Sequence, residues 1–431
     1  PALIHHSKVH FDINGIIATV TVEQSFRNDA ANFVEGVYAF PLPPGAGIRK
    51  LEMVIGERRI VGRIREKFEA RKVFEQARRA GKKASLVEQQ RPNLFTNRVA
   101  NIGPGEEVTV KMEYVQQVDF DTDTFSLRFP MTITPRYMPG RPRDASADHE
   151  EDESSMTVNP YLGWAVPTSQ VPDAGRISPL LHADPGNNRQ PLNPVDISAT
   201  LDIGMPLASV ESPYHGIALS RRAGVYSVSQ VGGVTEMDRD FVLTWRPVAG
   251  RTPQAALFTE KVGEQYYGLL MVVPPARQSP GVVVAREMVF VIDTSGSMGG
   301  VSIVQARASL SRALQQLTPQ DRFNIIEFNS GHRALYQSSV LATRHNVQRA
   351  QEFVRLLDAS GGTEMLPALR EALESKKAST DGEEQARLRQ VIFITDGAVG
   401  NETELFAEIS RILGDSRLFT VGIGSAPNSW F

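Results

Sequence analysis

Three short strings in the C-terminal third of the chain carry oxygen donors in a pattern that could do chemistry. Asp293-Thr294-Ser295-Gly296-Ser297 sets one carboxylate and two hydroxyls at alternate positions, with no nitrogen or sulfur donor among them. Such a set suits a hard cation such as Mg²⁺ better than zinc. The string follows the apolar run 288–292, the signature of a strand buried on both faces of a parallel sheet. Open α/β sheets bind ligands just beyond the C-terminal ends of such strands. Gly361-Gly362-Thr363 comes after a helical pattern, and the run 391–394 is a second buried strand ending in Thr395-Asp396-Gly397. Taken alone, the first pentapeptide reads equally well as a strand-to-helix turn whose Asp or Ser caps the next helix.

The elements that must position these strings follow a regular plan. From Arg286 on, β and α patterns alternate, as a doubly wound sheet requires. Helices are expected at 301–317, 346–357, 366–376 and 402–413, with strands at 322–328, 390–395 and 418–423. In this order and on these elements, the three strings resemble the metal-ion-dependent adhesion site of von Willebrand factor A domains. The resemblance implies that Ser295, Ser297 and Thr363 offer hydroxyls, while Asp293 and Asp396 hold the ion directly or through water. It implies Mg²⁺ or Mn²⁺, with Ca²⁺ as a further candidate. Mg²⁺ takes six oxygens and keeps waters readily, so few protein charges leave one position for a partner's carboxylate. It also implies a longer domain, with another helix, an edge strand and a final helix beyond strand 418–423. A chain ending at Phe431 is therefore expected to be a fragment, or completed by another segment.

Residues 1–140 alternate apolar and polar with closely spaced turn signals, an all-β pattern. Val9 to Ile13 and Ile16 to Phe26 flank Asn14-Gly15, a hairpin signal. Further strands are expected at 34–40, 48–55, 59–65, 84–89, 94–102, 107–116 and 124–131. One helix interrupts them at 67–79, with Ala70, Val73, Phe74 and Ala77 on one face and Gly81 as its stop. The basic residues of this stretch (Arg71, Lys72, Arg78, Arg79, Lys82, Lys83) are interleaved with Glu66, Glu69 and Glu75, which reads as a solvated face, with an acidic partner or a lipid surface as the functional alternative. The strings 37–43 (VYAFPLP), 70–74 (ARKVF), 91–96 (RPNLFT), 99–102 (VANI) and 103–106 (GPGE) resemble the vault protein inter-alpha-trypsin domain. That module precedes A domains in inter-alpha-trypsin inhibitor heavy chains.

Residues 141–195, with an acidic run at 144–153, read as long loops or a linker. Residues 196–280 turn β-like again and are expected to form a bridging domain, a second sandwich. In the heavy chains such a domain is completed by chain from beyond the A domain. The expected fold class is thus multidomain: an all-β domain with one helix at 1–140, a β-rich bridging domain, and an α/β doubly wound A domain at 284–431.

The totals agree with several cores. At 431 residues, two or three domains are expected. A net charge of −3 argues against a nucleic-acid surface, and the absence of cysteine excludes disulfides and thiolate metal sites. No apolar run reaches the ~18 residues that span a membrane. The start at Pro1 rather than Met points to a processed or trimmed N-terminus.

The chain has no His-Glu-x-x-His, no Gly-x-Ser-x-Gly and no Gly-x-x-x-x-Gly-Lys. The expectation is a non-enzymatic adhesion or interaction protein, exported to the cell envelope or outside the cell, that binds an acidic side chain of a protein or matrix ligand. Within the family the arrangement looks most like bacterial two-domain proteins proposed as sortase targets. Two other classes stay open: an intracellular chaperone-like or metal-chelatase-type assembly component, and a metal-dependent hydrolase.

Overall fold

The computed structural model describes residues 3–43, 45–121, 123–133, 137–139, 141, 167–177, 193–248, 254–273, 284–374, 387–396 and 399–424. The acidic run at 144–153, most of the expected linker and Gly397 lie outside these residues. The chain divides into two compact units: residues 1–133 with 181–279, and residues 134–180 with 280–429.

The first unit is almost wholly β. Its strands are β1 (Leu3–Asn14), β2 (Ile17–Asn28), β3 (Val34–Pro41), β4 (Gly47–Ile55), β5 (Arg58–Val61), β6 (Ala84–Arg91), β7 (Leu94–Ile102), β8 (Glu107–Gln117), β9 (Asp119–Asp121) and β10 (Thr124–Phe129). After residue 181 come β11 (Pro194–Asp202), β12 (Leu207–Glu211), β13 (Ile217–Arg222), β14 (Val225–Gln230), β15 (Thr235–Glu236), β16 (Phe241–Pro247), β17 (Gln254–Val262) and β18 (Gln265–Val273). The turn of the first hairpin is Gly15-Ile16, one residue later than the Asn-Gly signal, because Asn14 still pairs with Ile17. Helix α1 (Lys67–Arg79) stands where the periodicity puts it, capped by the Glu66 carboxylate on the amides of Phe68 and Glu69.

A nine-stranded sheet runs β13-β14-β11-β1-β2-β8-β4-β5, with β15 beside β11. A four-stranded sheet, β12-β16-β10-β9, shares one core with it, and a three-stranded sheet, β3-β7-β6, lies beside α1. The segment after residue 193 is β-rich as expected, yet it is not a sandwich of its own. β11 joins β1 in parallel, from Ser7 opposite Val195 to Asn14 opposite Asp202, and β16 pairs with β10. Period-2 burial gives each of these strands one apolar face, and neither stretch can cover that face alone. Phe11 of β1 shows the result, stacking on Phe241 at 5.8 Å and meeting Phe129 edge-on at 5.6 Å.

The second unit is doubly wound. Parallel strands β19 (Arg286–Asp293), β20 (Arg322–Phe328), β23 (Leu388–Thr395) and β24 (Arg417–Gly422) lie in the order β20-β19-β23-β24. Short antiparallel pieces β21 (His332–Ala334) and β22 (Val340–Leu341) pair with β20. Alternate residues of β19 enter different cores. Val289 and Val291 pack with α5 (Met365–Glu374) and α6 (Glu402–Ile412), while Phe290 and Ile292 pack with α3 (Val301–Gln315) and α4 (Arg344–Leu356). A short helix, α2 (Ala174–Ile177), comes before the chain returns to the first unit. At the head of β19, the buried Asp321 carboxylate accepts from the Arg286 amide and guanidinium and from Thr318. Burial opposes its charge, but these donors prevail and hold it down at about 2.

Candidate metal centre

The site sits beyond the C-terminal ends of β19 and β23, where adjacent parallel strands leave their side chains together. Ile292 pairs with Ile394, so Asp293 and Thr395 come next to each other at the edge of the ladder. The Thr395 hydroxyl donates to Asp293 Oδ2 at 2.6 Å, and the Ser295 amide donates to Oδ1 at 2.8 Å. Both oxygens of the carboxylate are therefore fixed. Asp293, Thr294 and Ser295 are each 0% exposed, while Ser297 is open to solvent.

The loop after Asp293 is anchored at several points. The Thr294 amide and hydroxyl both donate to the Phe328 carbonyl, at 2.8 and 3.1 Å. A 3₁₀ turn at Gly296–Met298 follows, with the Ser295 and Ser297 hydroxyls 3.0 Å apart. Helix α3 starts after Gly300 with no side-chain cap, so neither Asp293 nor Ser295 serves as the cap that the pentapeptide alone would allow.

The Gly361-Gly362-Thr363 loop is stitched to this one through the backbone. Gly296 donates to the Gly361 carbonyl at 3.0 Å, and Ser360 donates to the Thr294 carbonyl at 2.7 Å. Thr363 is buried within it. Gly361 takes φ +79°, and a Cβ there would lie 2.8 Å from Ser330 Oγ, so both conformation and space call for glycine. A Cβ on Gly362 would meet the Tyr137 ring and hydroxyl at 3.0 to 3.1 Å.

Tyr137 ties two loops of the site together. Its hydroxyl donates to Glu364 Oε1 at 3.1 Å, beside Thr363, while its carbonyl accepts from Gly400 at 2.9 Å. Its backbone also bridges in parallel to Val399, beyond Asp396. Neither Tyr137 nor the bond from Thr395 to Asp293 was expected from the motif. The register of two parallel strands could have revealed Thr395. Nothing in the local sequence marks Tyr137.

The electrostatics fit a cation. Burial, with the charge of Asp396 adding to it, pushes the Asp293 carboxyl up to about 6 against the bonds from Ser295 and Thr395. Among the described residues, no Lys, Arg or His pairs with Asp293. Nor do three His, Cys, Asp or Glu side chains gather anywhere among them, so this centre has two carboxylates and otherwise hydroxyls. Two neighbouring buried carboxylates among hydroxyl oxygens are a donor set for a hard cation.

Family models agree with this architecture. Residues 4–114 match the vault protein inter-alpha-trypsin domain, and residues 286–429 match the von Willebrand factor type A domain. The chain is therefore a von Willebrand factor A domain-containing protein with an N-terminal vault protein inter-alpha-trypsin domain. Among its relatives, von Willebrand factor A domain-containing protein 5A of Rattus norvegicus is 24% identical over 442 residues, covering 98% of this chain and 49% of that protein. Protein mono-ADP-ribosyltransferase PARP4 of Mus musculus is 25% identical over 418 residues, covering 96% of this chain and 19% of that protein. The chain thus spans about half or less of the length of these relatives. A solved von Willebrand factor type A structure from Catenulispora acidiphila is 22% identical, with 40% of this chain and 37% of that chain covered and a TM-score of 0.29. Among the described residues no helix is long and apolar enough to cross a membrane.

Proposed function

We propose that this chain is a non-enzymatic interaction protein whose A domain holds Mg²⁺ or Mn²⁺ through Asp293, Ser295, Ser297, Thr363 and Asp396. Through that ion it engages an acidic side chain of a protein or matrix ligand, at the cell envelope or outside the cell. The observation that carries the reading is the buried Asp293 carboxylate, held by Ser295 and Thr395 beside Asp396 with no described cation paired to it. When bound, the ion supplies an electrophilic centre with a position for an anionic oxygen. Asp293 and Asp396 supply the charge, Ser295 and Ser297 the neighbouring hydroxyls, and the burial of the two carboxylates keeps water from weakening their attraction for a cation. The bonds from Thr395 and Ser295 preset the Asp293 carboxylate, as outer partners of ligating groups do.

Calorimetric titration of Mg²⁺, Mn²⁺ and Ca²⁺ into metal-stripped protein tests this. Saturable 1:1 binding is expected, lost in Asp396→Asn, with chelator-sensitive capture of a partner from envelope or secreted fractions. Binding that persists unchanged in Asp396→Asn would sink the reading. The Tyr137 contact gives a finer expectation. Gly362→Ala should weaken Mg²⁺ binding about tenfold by pushing the loop off Tyr137, and Tyr137→Ala in the same chain should recover most of that loss. A double-mutant cycle by calorimetry checks it, and strict additivity would mean that the contact does not bear on the site.

A further inference from the structure

The first unit carries a surface that the metal centre does not use. A groove of about 390 Å³ lies beside β4, β5, α1 and β6, with apolar walls that include Leu51, Met53, Ile60, Val73, Phe74 and Leu86. Arg63, Arg65 and Lys83 also line it. Val73 is exposed although it lies on a helix that buries Phe74, and Val61, Ile64 and Phe68 in the same stretch are exposed too, Ile64 by 90%. Residues 57–83 hold 11 Lys or Arg against four Glu, in a chain whose net charge is −3. Part of this charge is answered within the fold, where Arg59, Arg65, Arg71 and Lys83 pair with Glu52, Glu69, Glu88 and Glu106. Among the described residues, Arg58, Arg63, Lys72 and Lys82 pair with no carboxylate.

Edge protection explains some of this, since β5 ends the nine-stranded sheet and charge on an edge strand discourages pairing with other chains. It does not explain an apolar concavity next to that edge. Of the four unpaired cations, Arg63 lines the groove itself, while Arg58 and Lys72 lie on β5 and α1, which border it. The occupant therefore has to answer apolar walls, one unpaired cation among them and further unpaired cations on the bordering elements. A fatty acid would fill the walls yet bring a single carboxylate. A bilayer is planar and would not reach the floor of a groove. A helix with apolar residues on one side and acids flanking them answers both, and about three large side chains at i, i+4 and i+7 suit a groove of this size.

We propose that this groove docks an acidic amphipathic helix of a partner protein, independently of the metal centre. The complementarity is electrostatic at the rim and apolar at the floor, so binding should be salt-sensitive and should also require the walls.

The test uses the full chain and a fluorescent peptide of about 18 residues built from Leu, Ala and Glu, with Leu along one face. Anisotropy should show saturable binding that weakens about tenfold from low to physiological salt. Arg63→Glu and Val73→Asp should each weaken it tenfold or more, on the order expected for an interface anchor. Both side chains are exposed, so the thermal melts of the two variants should match that of the parent. Equal binding of a peptide with Lys in place of every Glu would overturn the proposal, as would indifference to both substitutions. Failure to bind the peptide alongside capture by phosphatidylserine vesicles would overturn it in favour of a lipid surface.

Discussion

Asp293→Asn is expected to abolish Mg²⁺ binding and at the same time to stabilise the metal-free protein at neutral pH. The sign follows from the carboxyl's raised pKa, about 6 when folded against 3.8 as the ordinary value. The folded state holds this proton more tightly than the unfolded chain does. The associated stability is therefore greatest in acid, falls as the pH rises from about 4, and levels off above about 6. A shift of this size corresponds to roughly 3 kcal/mol as an upper bound. The amide removes the charge but can accept only one of the two bonds from Thr395 and Ser295, which returns about 1 kcal/mol of the gain. Urea unfolding with chelator should find the Asp293→Asn variant more stable by about 1–2 kcal/mol at pH 7 and less stable than the parent, by up to about 1 kcal/mol, near pH 4, where only the lost bond counts. Saturating Mg²⁺ should reverse the order at pH 7, because only the parent gains from binding. Equal stability at both pH values without metal would mean that Asp293 carries no strain for an ion to relieve.

Phe11→Ala should cost about 3–5 kcal/mol, among the largest effects available to a single truncation. The ring is fully buried and touches Phe129 and Phe241, so its loss opens a cavity lined by strands from both sides of the segment 134–180. Trp245 lies in the same core, on the strand that carries Phe241. With Trp164 and Trp430 replaced by Phe, Trp245 fluorescence should move to lower urea together with the loss of β signal. A Trp245 transition unmoved by Phe11→Ala would mean that residues 194–273 fold by themselves. One shared transition is the expected result.

These two residues also show how far the sequence could be read. The place of Asp293, at the C-terminal end of a buried strand, was legible because a doubly buried strand reads as an unbroken apolar run. α1 was legible for a similar reason, with its apolar face and its stop all within one window. Strand 59–65 was expected to be longer than it is. β5 ends at Val61, and the charged residues that follow face solvent rather than a further strand. The joining of β1 to β11 was not legible, since parallel pairing across 188 positions leaves no mark in either strand alone. Tyr137 escaped notice for the same reason. It reaches Glu364 and Gly400 from more than 200 residues away.

Domains of this kind are commonly thought of as cassettes, cut at their ends and moved between proteins. The A domain of this chain does not have such ends. Residues 134–180 belong with it although they lie more than 100 positions upstream, between two halves of the other unit. A transplant beginning at Arg286 would leave behind Tyr137, against Gly362, and Met138 and Val171, against Gly400. The graft would arrive with the loop at Gly361–Thr363 unlatched and an apolar seam open to water. Recombination that respects this fold has to carry both units or rebuild the missing strap.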